Sequence, residues 1–407
     1  MQFLKALLLV LFFVPLSVSG QKVGVVLSGG GSSGLAHVGV LKALEEAHIP
    51  IDYIAGTSMG ALVGGMYAMG YSPAQIETLV KSEEFGSWVF GKPLDRYVYF
   101  FREREPDANW VGIKFRVDSV IQTRFPTNII SPSNMDFAFL ERTSSVSAAA
   151  GYNFDSLFVP YRCVAADIYN KAEVVFNSGD IGQAMRASST YPFFYKPIVV
   201  DDKLLFDGGL YNNFPADVMY RDFLPDVIIG STVASEIKPP NEEDILSQIK
   251  NMLMDRTSYG EVCETGHMLI VRPAIPKVAI LDFSQTEVMI EGGYQSTIAR
   301  LPQLFTMIPR RQDSLALEMK RSAFNKKQQP VWIDEVQIDG LSKNQSAYIK
   351  RAFNDKKKPL SLEEIRPDFF RVAYDARVKK IYPTARFDSA SGNFKLKLQM
   401  KLDKDIQ

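Results

Sequence analysis

Residues 23–69 alternate strand and helix twice, and each strand runs into a turn that only small residues can make. Val23-Gly24-Val25-Val26-Leu27 is a short, unbroken apolar run that ends in Ser28-Gly29-Gly30-Gly31. That is the pattern of a parallel strand buried on both faces and closed by a tight loop. Gly34 to Ala47 follows as a helix, with Leu35, Val38, Val40, Leu41 and Leu44 supplying apolar positions. Ile51 to Ala55 is a second strand, and Ser58 to Met69 a second helix with Gly70 as its C-cap. Ser72-Pro73-Ala74-Gln75 starts a third helix with Pro at the first position and a capping box. Such alternation predicts an α/β domain built on a mainly parallel sheet.

The pattern continues less regularly. Residues 82–140 are rich in aromatic and charged side chains and alternate at Tyr97–Phe100 and Ile113–Val117, which predicts an inserted hairpin, then a helix near Asn134–Leu140. The aromatic stretch Trp88–Trp110 fits either a lid or membrane-contact surface or ordinary core packing. Further strands are expected at Tyr161–Ala166, Ala172–Phe176, Ile198–Val200, Leu204–Phe206, Val227–Thr232 and Met268–Val271. Helices fit Ile181–Ser188, Asp244–Asp255 and Arg310–Gln329, the last ending in a linker. Beyond Pro330 the character changes. Val331–Ile338, Lys343–Phe353, Ser361–Tyr374, Val378–Phe387 and Asn393–Leu402 spell a β-α-α-β-β unit, with Ser389-Ala390-Ser391-Gly392 as a hairpin turn. At about 75 residues it is large enough to be a small domain of its own.

The N-terminus reads as an export signal. Lys5 precedes the apolar run Ala6–Val18, and Val18-Ser19-Gly20 offers small residues for cleavage. The run falls short of the roughly 20 residues a bilayer-spanning helix needs. We therefore expect a signal peptide over residues 1–20 and an exported protein in the periplasm, at the outer membrane or outside the cell. Lysine plus arginine and aspartate plus glutamate both number 46, a balance that argues against a nucleic-acid partner. The two cysteines, Cys163 and Cys263, are too few for a disulfide scaffold.

Two glycine-flanked motifs carry the chemistry. Gly56-Thr57-Ser58-Met59-Gly60 sits between a strand and a helix, where a sharp turn lifts a serine hydroxyl clear of the sheet. The helix that follows adds free N–H groups and the positive end of its dipole. Gly29-x-Gly31-x-x-Gly34 is open to two readings. With Asp52 some 20 residues on, it matches a dinucleotide fingerprint. As a loop of free amides it matches an oxyanion hole. The serine turn after the next strand favours the second, because a hydrolase needs both features on neighbouring strands. A base is also needed. Ser58, Asp207 and His267 follow the Ser-Asp-His order of α/β-hydrolases. Asp207-Gly208-Gly209 after a strand offers another candidate, a carboxylate whose pKa desolvation would raise.

These residues together resemble the patatin-like phospholipases. The resemblance rests on Ser28-Gly29-Gly30-Gly31-x-x-Gly34-Leu35-Ala36-His37-x-Gly39-Val40-Leu41, on Gly56-Thr57-Ser58-Met59-Gly60, on Arg186-Ala187-Ser188-Ser189-x-x-Pro192 with Pro197, and on Asp207-Gly208-Gly209 with Asn213 and Pro215. It spans about residues 23–310 and implies a three-layer α/β/α sandwich over 21–325. It implies Ser58 as nucleophile and Asp207 as base, an oxyanion hole from Gly29, Gly30 and Gly31 with the Met59 amide, phospholipid or other acyl esters as substrates, and neither metal nor cofactor. His267 then has no catalytic part. Gly34, Gly56, Gly60, Gly208 and Gly209 complete the motifs. One departure is Ser33, where the family usually carries Arg or Lys. The loss of that cation leads us to expect weaker attraction for anionic headgroups or a less rigid loop. The tail, 330–407, resembles a POTRA domain through Val331-x-Ile333-x-x-Val336-x-Ile338-x-Gly340 and the Leu360-Ser361-Leu362 helix start. That likeness implies an envelope protein partner and a membrane surface nearby. In related patatin–POTRA proteins a barrel follows the module, so the expectation here is a lost barrel or a piece of a longer protein. A dinucleotide-dependent oxidoreductase and a non-catalytic envelope scaffold are the competing readings.

Overall fold

The computed structural model describes residues 20–92, 128–234, 243, 267–353, 358–375 and 377–402. The expected signal peptide up to residue 19, the hairpin at Tyr97–Val117, the helix Asp244–Asp255 and Cys263 lie outside the described residues. Among the described residues no helix is long and apolar enough to cross a membrane.

Among the described residues, eight strands form the central sheet: β1 (Val23–Leu27), β2 (Tyr53–Thr57), β3 (Tyr161–Asp167), β4 (Ala172–Phe176), β5 (Ile198–Val200), β6 (Lys203–Asp207), β7 (Val227–Ser231) and β8 (Met268–Val271). β3, β2, β1, β7 and β8 run parallel in that spatial order, while β4, β5 and β6 add antiparallel pairs at one end. The alternation of side chains sorts residues onto two faces. Val25 and Leu27 enter the larger apolar core with α1 (Ala36–Glu46), α2 (Met59–Ala68), α3 (Pro73–Val80) and α4 (Glu83–Phe90). That face also receives α5 (Ser133–Ala149), α6 (Ile181–Ser188) and, later in the chain, residues from 286 to 325. Val26, Ala55 and Ile228 point the other way, onto Phe214, Ala216 and Met219 at α7 (Ala216–Phe223). The result is the expected layering of helices on both faces of a mixed, mainly parallel sheet. The capping box at Ser72 forms with both of its hydrogen bonds.

β3 is the strand that organises the site. β4 occupies one of its edges over Cys163–Asp167. Its other edge is shared, with β2 parallel beside Tyr161–Val164 and β6 antiparallel beside Ala165–Asp167. β2 and β6 therefore run toward each other and stop at adjacent rungs, Thr57 opposite Val164 and Asp207 opposite Ala165. Cys163 is buried within β3 with its thiol pushed up to about 12 by desolvation, an inert packed residue.

Three helices, α8 (Thr286–Ile298), α9 (Leu301–Met307) and α10 (Ser314–Asn325), complete the body. The tail comprises β9 (Trp332–Asp339), α11 (Lys343–Phe353), β10 (Leu360–Ser361), α12 (Leu362–Ala373), β11 (Val378–Asp388) and β12 (Asn393–Leu402). Its sheet has the order β10-β9-β12-β11, with β9 parallel to β12. The two-residue strand β10 is an addition to the expected β-α-α-β-β order. The tail also does not stand apart. Phe137 and Leu140 of α5 belong to the same apolar cluster as Phe353, Ile365, Phe369 and Phe370. The Phe137 ring lies 4.8 Å from that of Phe369. Tyr382 of β11 is buried with Ala165, Ala187, Ile198, Val200 and Leu205, against the strands that end at the site.

Candidate active site

Ser58 stands between the last residue of β2 and the first of α2, with φ 54° and ψ −123°. A residue with a Cβ is strained there, at a cost of order 1–3 kcal/mol that the surroundings must offset. They do so from both sides. The Ser58 amide donates to Ser188 Oγ at 2.9 Å, and that hydroxyl donates to Val164 O at 2.5 Å. Its carbonyl accepts from the Leu62 amide. Gly60 lets α2 start against the end of β1, since a Cβ there would strike the carbonyls of Leu27 and Ser28. Gly34, Gly56 and Gly208 are crowded in the same way by Met59, Gly60 and Val164.

Asp207 reaches this turn from the opposing strand end. The Ser58 hydroxyl donates to Asp207 Oδ2 at 2.6 Å, and the Gly209 amide donates to Oδ1 at 2.8 Å. The Asp207 amide donates to Thr190 O. Its carboxyl is 4% exposed, and burial lifts its pKa to about 6 against the two hydrogen bonds that lower it. Thr190 is itself anchored by Arg186, which is fully buried and paired with Asp136 at 2.7 Å. Burial raises the Asp136 pKa and the neighbouring Arg186 opposes that rise.

The glycine loop is held by polar groups that the sequence does not advertise. The Ser28 amide donates to Ser231 O, and its hydroxyl accepts from the Val233 amide. Buried His37 bridges the loop to β7, with Nε2 2.8 Å from Ser28 O and Nδ1 2.8 Å from Ser231 Oγ. A carbonyl only accepts, so Nε2 carries the proton and Nδ1 accepts from the Ser231 hydroxyl. Desolvation lowers the His37 pKa to about 4, which keeps the ring neutral in that tautomer. The Gly29 amide donates to Asn213 O at 3.0 Å, so it is not free for an incoming ligand. What Gly29 contributes is room, because a Cβ there would meet Asn213 Oδ1 and lie 3.0 Å from Ser58 Cβ. The amides of Gly30, Gly31 and Met59 have no acceptor among the described residues. Gly31, at φ 57°, turns the chain into the helical segment that carries half-buried Ser33.

Two other sequence candidates fall away from this centre. Met268 pairs with Ile228, Ile228 with Gly24 and Gly24 with Tyr53, so His267 is level with Asp52 at the N-terminal end of the sheet. Ser58 lies about 20 Å farther along the strand direction at roughly 3.3 Å per residue. His267 therefore cannot serve as its base. Asp52 accepts from the Val23 amide and from Arg310, at the far end from the glycine loop. The dinucleotide reading thus loses the acidic group it requires beside the loop.

Residues 25–220 match the family described as patatin-like phospholipase. Lysophospholipase NTE1 of Kluyveromyces lactis is 28% identical over 309 residues, covering 68% of this chain and 19% of that protein. The patatin-like phospholipase domain-containing protein ZK370.4 of Caenorhabditis elegans is 34% identical over 222 residues, covering 54% of this chain and 14% of that protein. The chain thus spans less than a fifth of the length of either relative. VipD from Legionella pneumophila overlaps at a TM-score of 0.37 and 13% identity, covering 70% of this chain and 67% of that one. Residues 25–220 form a patatin-like phospholipase domain.

Proposed function

We propose that this protein hydrolyses lipid acyl esters, phospholipids among them, through an acyl-enzyme on Ser58. The observation that carries the proposal is the 2.6 Å hydrogen bond from a strained, partly exposed Ser58 hydroxyl to a buried carboxylate. Asp207 accepts the Ser58 proton as Oγ attacks the acyl carbonyl, and a pKa near 6 suits a base working at neutral pH. The carbonyl oxygen becomes an oxyanion and receives N–H groups from Gly30, Gly31 and Met59, at the positive end of α2. Collapse of the tetrahedral species expels the alcohol portion of the lipid, which takes the proton from Asp207. Water then attacks the acyl-enzyme, gives its proton to Asp207, and the fatty acid leaves as Ser58 is restored. The match of residues 25–220 to the patatin-like phospholipases supports the reaction class.

Labelling with a fluorophosphonate probe and hydrolysis of phosphatidylcholine vesicles test the reading. Ser58→Ala is expected to abolish labelling and cut kcat by at least about a thousandfold. Hydrolysis that survives Ser58→Ala would overturn it, and failure of a folded wild type to label would favour the scaffold reading. We further propose export, supported by the apolar run Ala6–Val18 after Lys5. We also propose a POTRA-like role for the tail, with an envelope partner, on its sequence likeness alone.

A further inference from the structure

One turn along α2 from Ser58, at Leu62, an apolar cavity begins. It follows α2 through Met66 and Met69 and is walled by Met185 of α6 and by Met135 and Phe139 of α5. Met185 lies one turn before Ser188, whose hydroxyl holds the Ser58 amide, so two walls of the cavity lead back to the same serine. Its free volume is about 30 Å³, room for one or two waters. Four methionines in the lining give it a way to widen, since unbranched thioether side chains repack at low cost.

The far end is closed by a polar latch. Trp88 of α4 and Arg142 of α5 line the cavity, with the Arg142 guanidinium 5.3 Å from the Trp88 ring centroid. Arg142 also pairs with Glu84 at 2.8 Å. The other side of Trp88 and Arg142 faces a larger cleft of about 700 Å³, bounded by Arg366 and Phe370 of the tail and by Glu141. The latch is therefore the wall between an apolar space that starts at Leu62, one turn from Ser58, and a larger, partly polar cleft beneath the tail.

We infer that the cavity is the acyl-chain site of the proposed hydrolase, and that Trp88 and Arg142 set the longest chain it accepts. The inference rests on the reading of Ser58 as nucleophile. From Ser58 to Met69 the helix rises about 16 Å, the reach of an acyl chain of roughly a dozen carbons. A longer chain meets the latch, and passes into the cleft only when the Arg142–Glu84 pair opens. The sequence holds the hint only in retrospect, as Leu62, Met66 and Met69 recurring at helical spacing along the segment after Ser58.

Fluorescence tests occupancy without catalysis. The full chain carrying Ser58→Ala is titrated with palmitate brominated along its chain, and quenching of tryptophan emission is read. Quenching that largely disappears when Trp88→Phe is added supports the site; equal quenching in both proteins, or none in either, overturns it. This arm stands whether or not Ser58 is catalytic, so loss of the hydrolase reading leaves it intact. Chain selectivity tests the latch. With Ser58 present, the ratio of kcat/KM for p-nitrophenyl palmitate over butyrate should fall about tenfold or more in Met66→Trp, and rise in Trp88→Ala and in Arg142→Ala. Ratios that stay at the parent value in variants with the parent's melting temperature would overturn the assignment.

Discussion

Replacing Asp207 with Asn should make the protein more stable and inactive at the same time. The carboxyl is buried and its pKa stands at about 6 rather than the ordinary 3.8, with desolvation the leading cause. A raised carboxyl pKa means that the folded state holds its proton more tightly than the unfolded chain does. Its contribution is therefore intact below about 3.8, is lost as pH rises, and above about 6 the whole cost of the buried charge is present. The gap between those values corresponds to about 3 kcal/mol, at about 1.4 kcal/mol per pKa unit. Asn has nearly the same shape and never ionises. Its carbonyl can keep the Gly209 amide, and its NH₂ can donate to Ser58 Oγ in place of the bond that Asp207 accepts. Thermal melts of both proteins at about pH 8 and pH 4 are the assay. At pH 8 Asp207→Asn should melt roughly 5 °C higher. At pH 4 only about 0.6 kcal/mol of the difference should remain. Hydrolysis should fall by about 10² to 10⁴, and the acid limb of the wild-type kcat/KM profile should turn near pH 6. A stability gain of equal size at both pH values, or a loss at both, would refute desolvation of the carboxylate as its source.

Gly29→Ala should lower hydrolysis by about a hundredfold, because its Cβ displaces Asn213 and crowds Ser58, and a shift near 1 Å is worth that much; kcat measured beside an unchanged circular dichroism spectrum checks it. Asp136→Asn leaves Arg186 charged and buried without its partner and should cost about 3–5 kcal/mol in urea unfolding. Tyr382→Ala should cost about 3 kcal/mol and lower the melting temperature of the tail and the body together, since the residue belongs to a core drawn from both; two separated transitions would contradict a shared core. Ser33→Arg should raise the rate on anionic vesicles relative to neutral ones, a preference that added salt should reduce.

The parts of the fold legible from the sequence were those where period and punctuation agree. Ala172–Phe176, Met268–Val271 and Ile181–Ser188 have the expected bounds, with a strand-like or helix-like run between clear breakers. Thr286–Ile298 was not legible because Gly292 and Gly293 read as helix breakers. In the structure they are contact points, with Gly293 against the Ala36 carbonyl and Gly39 against that of Ile290, so that α8 and α1 touch backbone to backbone. Ala216–Phe223 was hidden by its one narrow apolar face of Val218 and Met219. At the site, glycine spacing pointed to Ser58 and the Asp-Gly-Gly turn to Asp207. Ser231 carried no signal, and the motifs that contain Ser188 and His37 gave no hint of the contacts they make with residues more than 100 positions away. The packing of the tail against the body was illegible for the same reason, since Phe137 sits in a helix whose sequence gives no sign of the rings it meets.

The meeting of β2 and β6 along one edge of β3 also fixes when the site can come apart. Thr57, the residue before Ser58, and Asp207 hang from consecutive rungs of a single strand, buried throughout its length. No loop movement separates them without first unzipping that strand. The amides of Val164 and Ala165 should then be among the slowest in the molecule to exchange with deuterium, opening only in the global unfolding event. A substrate can rearrange the methionines along α2 while the serine and its carboxylate stay in register, so adaptability to the lipid and constancy of the chemistry reside in different layers of the same domain.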